Sequence, residues 1–352
     1  MTSPTRIDLA PEYSISRVIR GGWQLAGDHG TVDDATVVQD MIAFADAGIT
    51  TFDCADIYTG VEAKIGAFRK EYANQRGQAA LDRIRIHTKC VPDLGNLGSL
   101  TREGLQETTD RSRDRLGVER LDLVQFHWWD YAQGDWLQAA GWLREFQNEG
   151  RINLLGGTNF DTDHVAAMLD NGIRLASMQV QYSLLDRRPE KAMTALAAKH
   201  GFSFLCYGTV AGGFLSDRWL DVPDPGMAFA NRSLVKYRLI IQDLGGWDLF
   251  QSLLATLRRV ADRHNSDIAT VASAAMLARP QVAATIVGAR NANHLAANLA
   301  ITALELTAAD LAAIDTALAG AATLEGDVYG LERDRTGRHG AIMKYNLNKE
   351  EV

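Results

Sequence analysis

The feature that most constrains the fold of this 352-residue chain is a regular alternation of short apolar runs with longer amphipathic stretches. Apolar runs rich in Ile, Leu, Val and Phe are typical of buried strands, and they occur at 18–23, 50–54, 84–89, 121–126, 152–157, 177–182, 202–207 and 284–289. Between them the pattern predicts helices at 33–47, 61–73, 101–116, 135–148, 161–171, 189–200, 248–264 and 291–300. Eight strands that alternate with eight helices predict an α/β fold, a (β/α)8 TIM barrel.

Two segments interrupt this alternation. Residues 208–247 separate the seventh predicted strand from its helix and contain the turn sequences GTVAGG and DVPDPG. A loop of this length after a barrel strand is typical of a functional loop. Residues 320–352 form a tail rich in Gly and charge, which either folds over the barrel or is mobile. We predict one domain over residues 1–352, with the barrel at about 15–319 and the tail at about 320–352.

Charge and composition narrow the classes of partner. Lys and Arg number 36 against 44 Asp and Glu, a formal charge of −8, and such a surface does not attract phosphate backbones, so we expect no nucleic-acid partner. We find no signal-peptide pattern and no apolar run of about 18 residues, so we expect no membrane span and a cytoplasmic location. Cys54, Cys90 and Cys206 lack metal-ligand spacing, and their odd number argues against a disulfide framework, so we expect buried thiols and no metal. The sequence makes no prediction of oligomeric state.

Four polar residues lie at or just past the ends of the second, third and fourth predicted strands: Asp53, Tyr58, Lys89 and His127. Because the C-terminal ends of barrel strands meet at one mouth, their side chains can lie together there. A tyrosine with a pKa near ~10 is a poor acid at neutral pH, but a nearby ammonium lowers that pKa. Tyr58 is therefore a candidate general acid, with Lys89 as its activator and Asp53 as the partner of Lys89. A neutral His127 would orient a carbonyl oxygen. The alternative is a structural ion pair beside a core histidine.

A second group of residues at the same mouth could bind a flat, amide-bearing cofactor. Thr158 and Asn159 end the fifth predicted strand, Gln179 lies on the sixth, and Tyr207 ends the seventh. Hydroxyl and amide side chains can bind a carboxamide from several directions, and a Tyr ring can stack on a planar heterocycle. Taken singly, Gln179 is equally explained as a surface amide and Tyr207 as a core aromatic.

The chain has no glycine-rich dinucleotide-binding motif, so cofactor phosphates would have to bind at another site. No G-x-G-x-x-G follows an early strand, so a doubly wound fold is not supported. Barrels often bind phosphate with the loops after the seventh and eighth strands. Candidate residues in those two loops are Gly212, Leu215, Ser216 and the segment 288–291, which includes Gly288 and Arg290.

Six segments of the chain resemble the aldo-keto reductases, in the order of that family and from about Gly21 to about Asn298: FDCADIY, IHTK, LDLVQFHWW, GGTNF, MQVQYSLLDR and YGTVAGGFLS. The resemblance implies that Asp53, Tyr58, Lys89 and His127 form a catalytic tetrad with the Tyr as acid. It also implies that Thr158, Asn159, Gln179 and Tyr207 contact a nicotinamide, that Asn298 contacts adenine, and that Trp23 and Trp128 wall the substrate site. The implied activity is reduction of aldehydes or ketones by NADPH.

The chain departs from the family pattern at three places. Gly288 and Ala289 stand where many members have Lys-Ser, and His294 stands where they have Arg. Arg290 is then the candidate for the phosphate that distinguishes NADPH, and NADH is also possible. Trp129 stands where the family often has Pro. Two other classes of function remain open: a nicotinamide-binding regulatory subunit of the same fold, and a Schiff-base barrel lyase that uses Lys89 as its amine.

Overall fold

The structure, a computed structural model, describes residues 5–26, 34–229 and 231–347. Its strands are β1 (Arg6–Ala10), β2 (Tyr13–Ser16), β3 (Val18–Gly21), β4 (Thr51–Asp53), β5 (Arg85–Cys90), β6 (Leu121–Phe126), β7 (Ile152–Thr158), β8 (Ser177–Gln181), β9 (Ser203–Tyr207) and β10 (Val282–Gly288). Its α-helices are α1 (Asp34–Asp46), α2 (Val61–Arg76), α3 (Gln78–Leu81), α4 (Arg102–Leu116), α5 (Trp136–Asn148), α6 (Thr162–Asp170), α7 (Met193–His200), α8 (Arg232–Leu244), α9 (Gly246–Arg263), α10 (Ile268–Leu277), α11 (Leu295–Ala303), α12 (Ala308–Ala317) and α13 (Gly330–Arg333).

Strands β3 to β10 close into a barrel in the order β10-β3-β4-β5-β6-β7-β8-β9. Every neighbouring pair in this barrel is parallel. All eight predicted strands correspond to barrel strands, so the prediction of a TIM barrel is confirmed. The three cysteines are free and buried, as expected.

The register of the strands decides which side chains enter the barrel. Lys89 on β5 is paired with Gln125 on β6, and Thr158 on β7 is paired with Gln179 on β8. Residues paired in register point to the same face, and alternate residues point inward. The polar residues at the strand ends therefore converge on one mouth, the end of the barrel where the strand C-termini meet.

An N-terminal hairpin that the apolar pattern does not predict packs on the barrel strands. Strands β1 and β2 are antiparallel, and Leu9, Tyr13 and Ile15 form one buried cluster with Ile19 and Leu123 of the barrel. Both hairpin strands are short, which leaves too few residues for a clear two-residue period. The hairpin buries apolar side chains of β3 and β6 that face the inside of the barrel.

The prediction of one long loop over 208–247 is wrong in its second half, where helix α8 lies. Asn231 begins this helix by accepting a hydrogen bond from the Ser233 amide at 2.7 Å, which is ordinary N-capping. Tyr237, Ile241 and Leu244 are buried at helical spacing. The turn sequences GTVAGG and DVPDPG in the first half of the segment obscured this short amphipathic pattern. Helices α10 and α12 were also not among the eight predicted helices.

The described part of the tail, residues 320–347, folds over the barrel mouth. Lys191 Nζ donates to the carbonyl oxygen of Leu324 at 2.6 Å, and the Thr162 amide donates to Asp327 at 2.7 Å. The Leu94 amide donates to the carbonyl oxygen of Tyr345 at 3.1 Å. These contacts join the tail to segments that follow three different barrel strands, so of the two expectations for the tail the structure shows the folded one over this length. In the described ranges, no single helix has the length and apolar character needed to cross a membrane.

Candidate active site

Lys89 is buried between a carboxylate and a phenol. Its Nζ lies 2.6 Å from Oδ1 of Asp53 and donates to the carbonyl oxygen of Cys54 at 2.8 Å. Both side chains of the ion pair are almost fully buried. The ammonium also lies 4.8 Å from the centroid of the Tyr58 ring. Burial lowers the pKa of Lys89, but the Asp53 carboxylate and Tyr58 raise this pKa by more, so Lys89 is held as the cation.

The second carboxylate oxygen of Asp53 is held by two amides from the barrel interior. Oδ2 accepts a hydrogen bond from Gln125 at 3.0 Å and one from Gln179 at 2.6 Å. Gln179 also donates to Oε1 of Gln125 at 2.9 Å. A carboxylate with these partners cannot rotate without breaking charge-assisted hydrogen bonds. The amide nitrogen of Gln179, which we expected at a cofactor carboxamide, is thus engaged with Asp53.

Tyr58 returns to the mouth through a tight turn after β4. Its amide donates to the carbonyl oxygen of Ala55 at 3.1 Å, and its ring meets Trp23 edge-on with centroids 4.9 Å apart. Both aromatic side chains are half-buried. Burial raises the pKa of Tyr58, and the Lys89 ammonium opposes this rise without reversing it. Lys89 therefore lowers the pKa of Tyr58, as expected, but burial raises this pKa by more.

His127 is neutral and has its proton on a defined nitrogen. Burial of the ring, followed by the nearby Arg333 guanidinium, lowers the pKa of His127 to about 3. Nδ1 lies 3.0 Å from the carbonyl oxygen of Thr158. Because a carbonyl only accepts, this contact assigns the proton to Nδ1 and leaves Nε2 with a lone pair. The ring is neutral, as expected, and its role in orienting a carbonyl oxygen stays a prediction.

The two tryptophans after His127 have different surroundings. Trp128 is fully buried, packs against Phe126, and donates its indole N–H to the carbonyl oxygens of Asp130 at 3.0 Å and Gln133 at 3.1 Å. The ring of Trp129 instead meets the His127 ring edge-on at 4.3 Å. The indole N–H of Trp128 thus stabilises its own loop, and Trp129 is the tryptophan in ring contact with His127. The expectation that Trp128 lines the substrate site stays a prediction.

The tail contributes several side chains to the mouth. Arg333 donates to the carbonyl oxygens of Trp128, Trp129 and Asn159, the last two at 2.9 and 2.8 Å. The ring of Tyr329 meets the His127 ring edge-on with centroids 5.8 Å apart. The tail therefore covers the His127 side of the mouth, and sequence reasoning did not identify these two residues.

Behind these contacts, a buried carboxylate ties the tail to the barrel. Glu332 is fully buried and accepts hydrogen bonds from both terminal nitrogens of Arg188, at 3.0 and 3.1 Å. Lys236 Nζ lies 3.7 Å from the same carboxylate. Burial raises the pKa of Glu332, but Arg188 and Lys236 lower it by more, to about 2. The tail is thus anchored by a charged network that joins it to α8 and to the segment after β8.

The residues expected around a nicotinamide lie close together. The Tyr207 hydroxyl donates to Oδ1 of Asn159 at 2.9 Å, and the Asn159 amide donates to the carbonyl oxygen of Gln179 at 3.0 Å. Tyr207 is half-buried, and the Lys236 ammonium lies 5.4 Å from its ring centroid. The carbonyl oxygen of Thr158 accepts the hydrogen bond from Nδ1 of His127. The four residues line one side of the mouth, and their role in cofactor binding stays a prediction.

The first phosphate-binding candidates have structural contacts of their own. Gly212 has φ +65, and a Cβ there would lie 2.8 Å from the Tyr237 ring. Leu215 is fully buried in the core. Ser216 donates its hydroxyl to the carbonyl oxygen of Gly213 at 2.6 Å. These contacts explain the residue types without a cofactor, so the binding role of this loop stays a prediction.

The second candidate region for phosphate binding lies near buried polar atoms that a ligand could satisfy. Among the described residues, Nδ2 of Asn298 and Oε1 of Gln24 are buried and lack hydrogen-bond partners. The Gln24 side chain lies against Gly288, where a Cβ would come within 2.1 Å of its amide nitrogen. Gly288 and Arg290 are exposed. Unsatisfied buried atoms on Gln24 and Asn298 fit a polar cofactor, and sequence reasoning missed Gln24.

Comparison with known proteins identifies the class to which this fold and site belong. The model of the Aldo/keto reductase family matches residues 17–319, so the chain belongs to that family of oxidoreductases, as its sequence segments indicated. It is 26% identical over 291 residues to the flagellar radial spoke protein 5 of Chlamydomonas reinhardtii, covering 67% of this chain and 55% of that one. It is 24% identical over 309 residues to the NADH-specific methylglyoxal reductase of Escherichia coli, covering 82% and 90%.

Solved structures support the same fold. The glycerol dehydrogenase AKR11B4 from Gluconobacter oxydans superposes with a TM-score of 0.71 at 22% identity, over 89% of this chain and 94% of that one. A thermostable aldo-keto reductase, Tm1743, gives a TM-score of 0.66 at 21% identity, over 86% and 96%. Aldo-keto reductases use nicotinamide cofactors, and the NADH-specific relative is consistent with the expectation of NADPH with NADH also possible.

Proposed function

We propose that this protein reduces aldehydes or ketones to alcohols with a reduced nicotinamide cofactor, and that Tyr58 is the general acid. The observation that carries the proposal is the buried Lys89 ammonium, 2.6 Å from Asp53 and 4.8 Å from the Tyr58 ring centroid. A fixed cation beside a phenol stabilises the phenolate that remains after proton transfer. Burying an ammonium or a carboxylate costs free energy unless the charge is paired and hydrogen-bonded, as it is in the Asp53–Lys89 pair.

Each residue of the site has a distinct part in this reaction. The bound cofactor would supply the hydride that the carbonyl carbon takes up. Tyr58 gives its hydroxyl proton to the carbonyl oxygen, and Lys89 stabilises the resulting phenolate. Asp53, held by Gln125 and Gln179, keeps Lys89 charged and in place. The tail and the aromatic side chains exclude water, which strengthens these electrostatic interactions.

The residues available for the cofactor favour NADPH and are compatible with NADH. Tyr207 and Asn159 would contact the nicotinamide, and Asn298 would use its unpaired buried nitrogen for adenine. Arg290, exposed at the end of β10, is the candidate for a 2′-phosphate. A cytoplasmic location and small carbonyl compounds as partners are part of the same proposal.

Two other functions were open from the sequence. A Schiff-base amine must lose its proton before it attacks a carbonyl, whereas the 2.6 Å contact with Asp53 keeps Lys89 charged. A non-catalytic role receives some support from the relative named as a flagellar radial spoke protein. The buried Asp53–Lys89 pair beside Tyr58 favours the reductase over both alternatives, because neither alternative needs an activated phenol.

The test is a panel of aldehydes and ketones with NADPH and with NADH, followed by loss of reduced-nicotinamide absorbance. We expect many turnovers per protein molecule with at least one simple aldehyde. Binding of the cofactor without turnover across the panel would favour the regulatory subunit. Trapping of a carbonyl compound on Lys89 by borohydride would instead favour the lyase.

A further inference from the structure

Two buried carboxylates lie on either side of Tyr58 in the chain and have no part in the proton transfer proposed above. Asp56 comes shortly before Tyr58, and Glu62 comes shortly after it. Their side chains are buried, with relative exposures of 5% and 1%. Because burying a carboxylate costs free energy unless the group is well hydrogen-bonded, the contacts of these two residues indicate why the segment around Tyr58 contains them.

Asp56 joins the turn of Tyr58 to the end of strand β5. Its Oδ2 accepts a hydrogen bond from the Val91 amide at 3.0 Å, and its Oδ1 accepts one from the Ile57 amide at 3.0 Å. Val91 comes shortly after Lys89 in the chain. The backbone link at the same level, from the Asp56 amide to the Lys89 carbonyl oxygen, is longer at 3.4 Å. The carboxylate of Asp56 therefore provides the shorter of its two links to the strand that carries Lys89.

Glu62 links the other side of the Tyr58 segment to the same strand. It lies in the first turn of helix α2, which begins shortly after Tyr58. Its Oε1 accepts a hydrogen bond from the Thr88 hydroxyl at 2.6 Å, and Thr88 directly precedes Lys89. Its Oε2 lies 3.5 Å from the Arg115 guanidinium of helix α4. The two carboxylates thus join the Tyr58 segment to strand β5 on both sides of Lys89.

The effect of an ammonium on a phenol depends on the distance between them. The Lys89 ammonium is fixed by Asp53 and by the Cys54 carbonyl oxygen, so the distance depends on where the turn places Tyr58. We propose that Asp56 and Glu62 are positioning residues, a carboxylate clamp that holds Tyr58 against the Lys89 ammonium. This inference rests on the proposed reductase function and adds two residues to the parts of the chain that serve it.

The ionisation of Asp56 fixes the conditions of the test. Burial raises the pKa of Asp56 to about 7, although the hydrogen bond from the Val91 amide opposes this rise. At about pH 9 the carboxylate is therefore ionised and can accept from both amides. The assays are made at that pH and above. In that range, the pH–rate profile of alcohol oxidation reports the ionisation of Tyr58, whose pKa is raised by burial.

Asp56→Asn tests the clamp, because the amide side chain has one acceptor atom where the carboxylate has two. Its nitrogen would face the N–H of Val91 or of Ile57, and two donors do not bond. With the best aldehyde of the panel, we expect kcat to fall by about 10- to 10²-fold and the Kd of the cofactor to stay unchanged. With the corresponding alcohol, the rise of the pH–rate profile should move up by about one pH unit, which corresponds to a 10-fold weaker stabilisation of the Tyr58 phenolate.

A second variant and a matched control complete the test. Thr88→Val removes the donor to Glu62 and adds no polar atom, so it should lower kcat by about 3- to 10-fold and move the oxidation profile in the same direction. Asp122→Asn is the control, because Oδ2 of Asp122 accepts from the Ile86 amide at 2.8 Å, near the opposite end of β5. It exchanges a carboxylate for an amide beside the same strand but away from the mouth. It should leave kcat and the profile at their wild-type values.

The outcomes distinguish this inference from the proposed function. An oxidation profile of Asp56→Asn that coincides with the wild-type profile overturns the clamp while the reductase function stands, even if kcat falls, because a merely structural role would give that result. An equal shift in Asp122→Asn overturns it as well. If Asp56→Asn does not fold, the profile of Thr88→Val decides in the same way. Absence of turnover by the wild-type protein with every carbonyl compound overturns the reductase function, and this inference with it.

Discussion

Replacing Glu332 with Gln should release the tail from the barrel mouth. Glu332 is fully buried, and its carboxylate binds Arg188 through two hydrogen bonds and lies 3.7 Å from Lys236. Removing one partner from a buried ion pair costs about 3–5 kcal/mol, because the remaining charge is left uncompensated. Asp186 stays paired with Arg188 at 2.6 Å, so we expect a cost near the lower end, about 3 kcal/mol.

This loss should appear as local opening, since the tail can detach while the barrel stays closed. A change of about 3 kcal/mol corresponds to roughly 10²-fold more of the open form. Hydrogen exchange measures it directly: the Arg333 amide, bonded to the Tyr329 carbonyl oxygen at 3.1 Å, should exchange about 10²-fold faster in Glu332→Gln. Amides of strand β6 should keep their wild-type rates.

Glu325→Gln is the matched control, because Glu325 lies in the same tail and is exposed. It should leave the exchange of the Arg333 amide unchanged, since exposed charges contribute little to stability. Wild-type protection of the tail in Glu332→Gln would refute the reasoning that this buried carboxylate anchors the tail. An equal effect of Glu325→Gln would refute it as well.

Three further predictions follow from the charged groups of the site. Lys89→Met should move the rise of the pH–rate profile for alcohol oxidation to higher pH, because oxidation needs the Tyr58 phenolate and the ammonium that lowers its pKa is gone; an unmoved profile would contradict the role of Lys89. Arg290→Ala should weaken NADPH binding by about 10-fold and NADH binding little, and equal losses in fluorescence titrations would show that Arg290 does not contact the phosphate. The pKa of Glu332 is depressed to about 2, so its stabilisation of the tail is complete above an unfolded pKa of about 4.3 and is lost as the pH falls toward 2; tail exchange that is constant over this window would count against it.

The barrel and the buried ion pair were predictable because their signals are local. Strand β6 has the predicted bounds, since LDLVQF is a short segment rich in Leu, Val and Phe, which is typical of a buried strand. The meeting of Asp53 and Lys89 was predictable because each lies at the end of a predicted strand, and strand ends in a barrel converge on one mouth. Tyr58 needed only the short turn after β4 to reach the same place.

The rest of the site depends on contacts between distant parts of the chain. Arg188 and Glu332 are 144 residues apart, and no local period or turn signal connects them. The Gly-rich and charged composition of the tail was the available signal, and it was compatible with both a folded and a mobile tail. The proton position on His127 was equally out of reach, since it depends on the Thr158 carbonyl oxygen of the next strand. Trp129 rather than Trp128 contacts His127 for a related reason, because the choice depends on loop and tail packing.

The most direct test of the central claim is the rate of carbonyl reduction by Tyr58→Phe. The substitution removes the transferable proton and keeps the ring beside Lys89 and Trp23. General acid catalysis contributes about 10²–10⁴-fold, so kcat should fall by that factor while the Kd of the cofactor stays at its wild-type value. Tyr72→Phe, which removes a hydroxyl on helix α2 outside the mouth, should keep wild-type activity. A Tyr58→Phe protein that retains more than about a tenth of the wild-type kcat, with chemistry rate-limiting, would contradict the account.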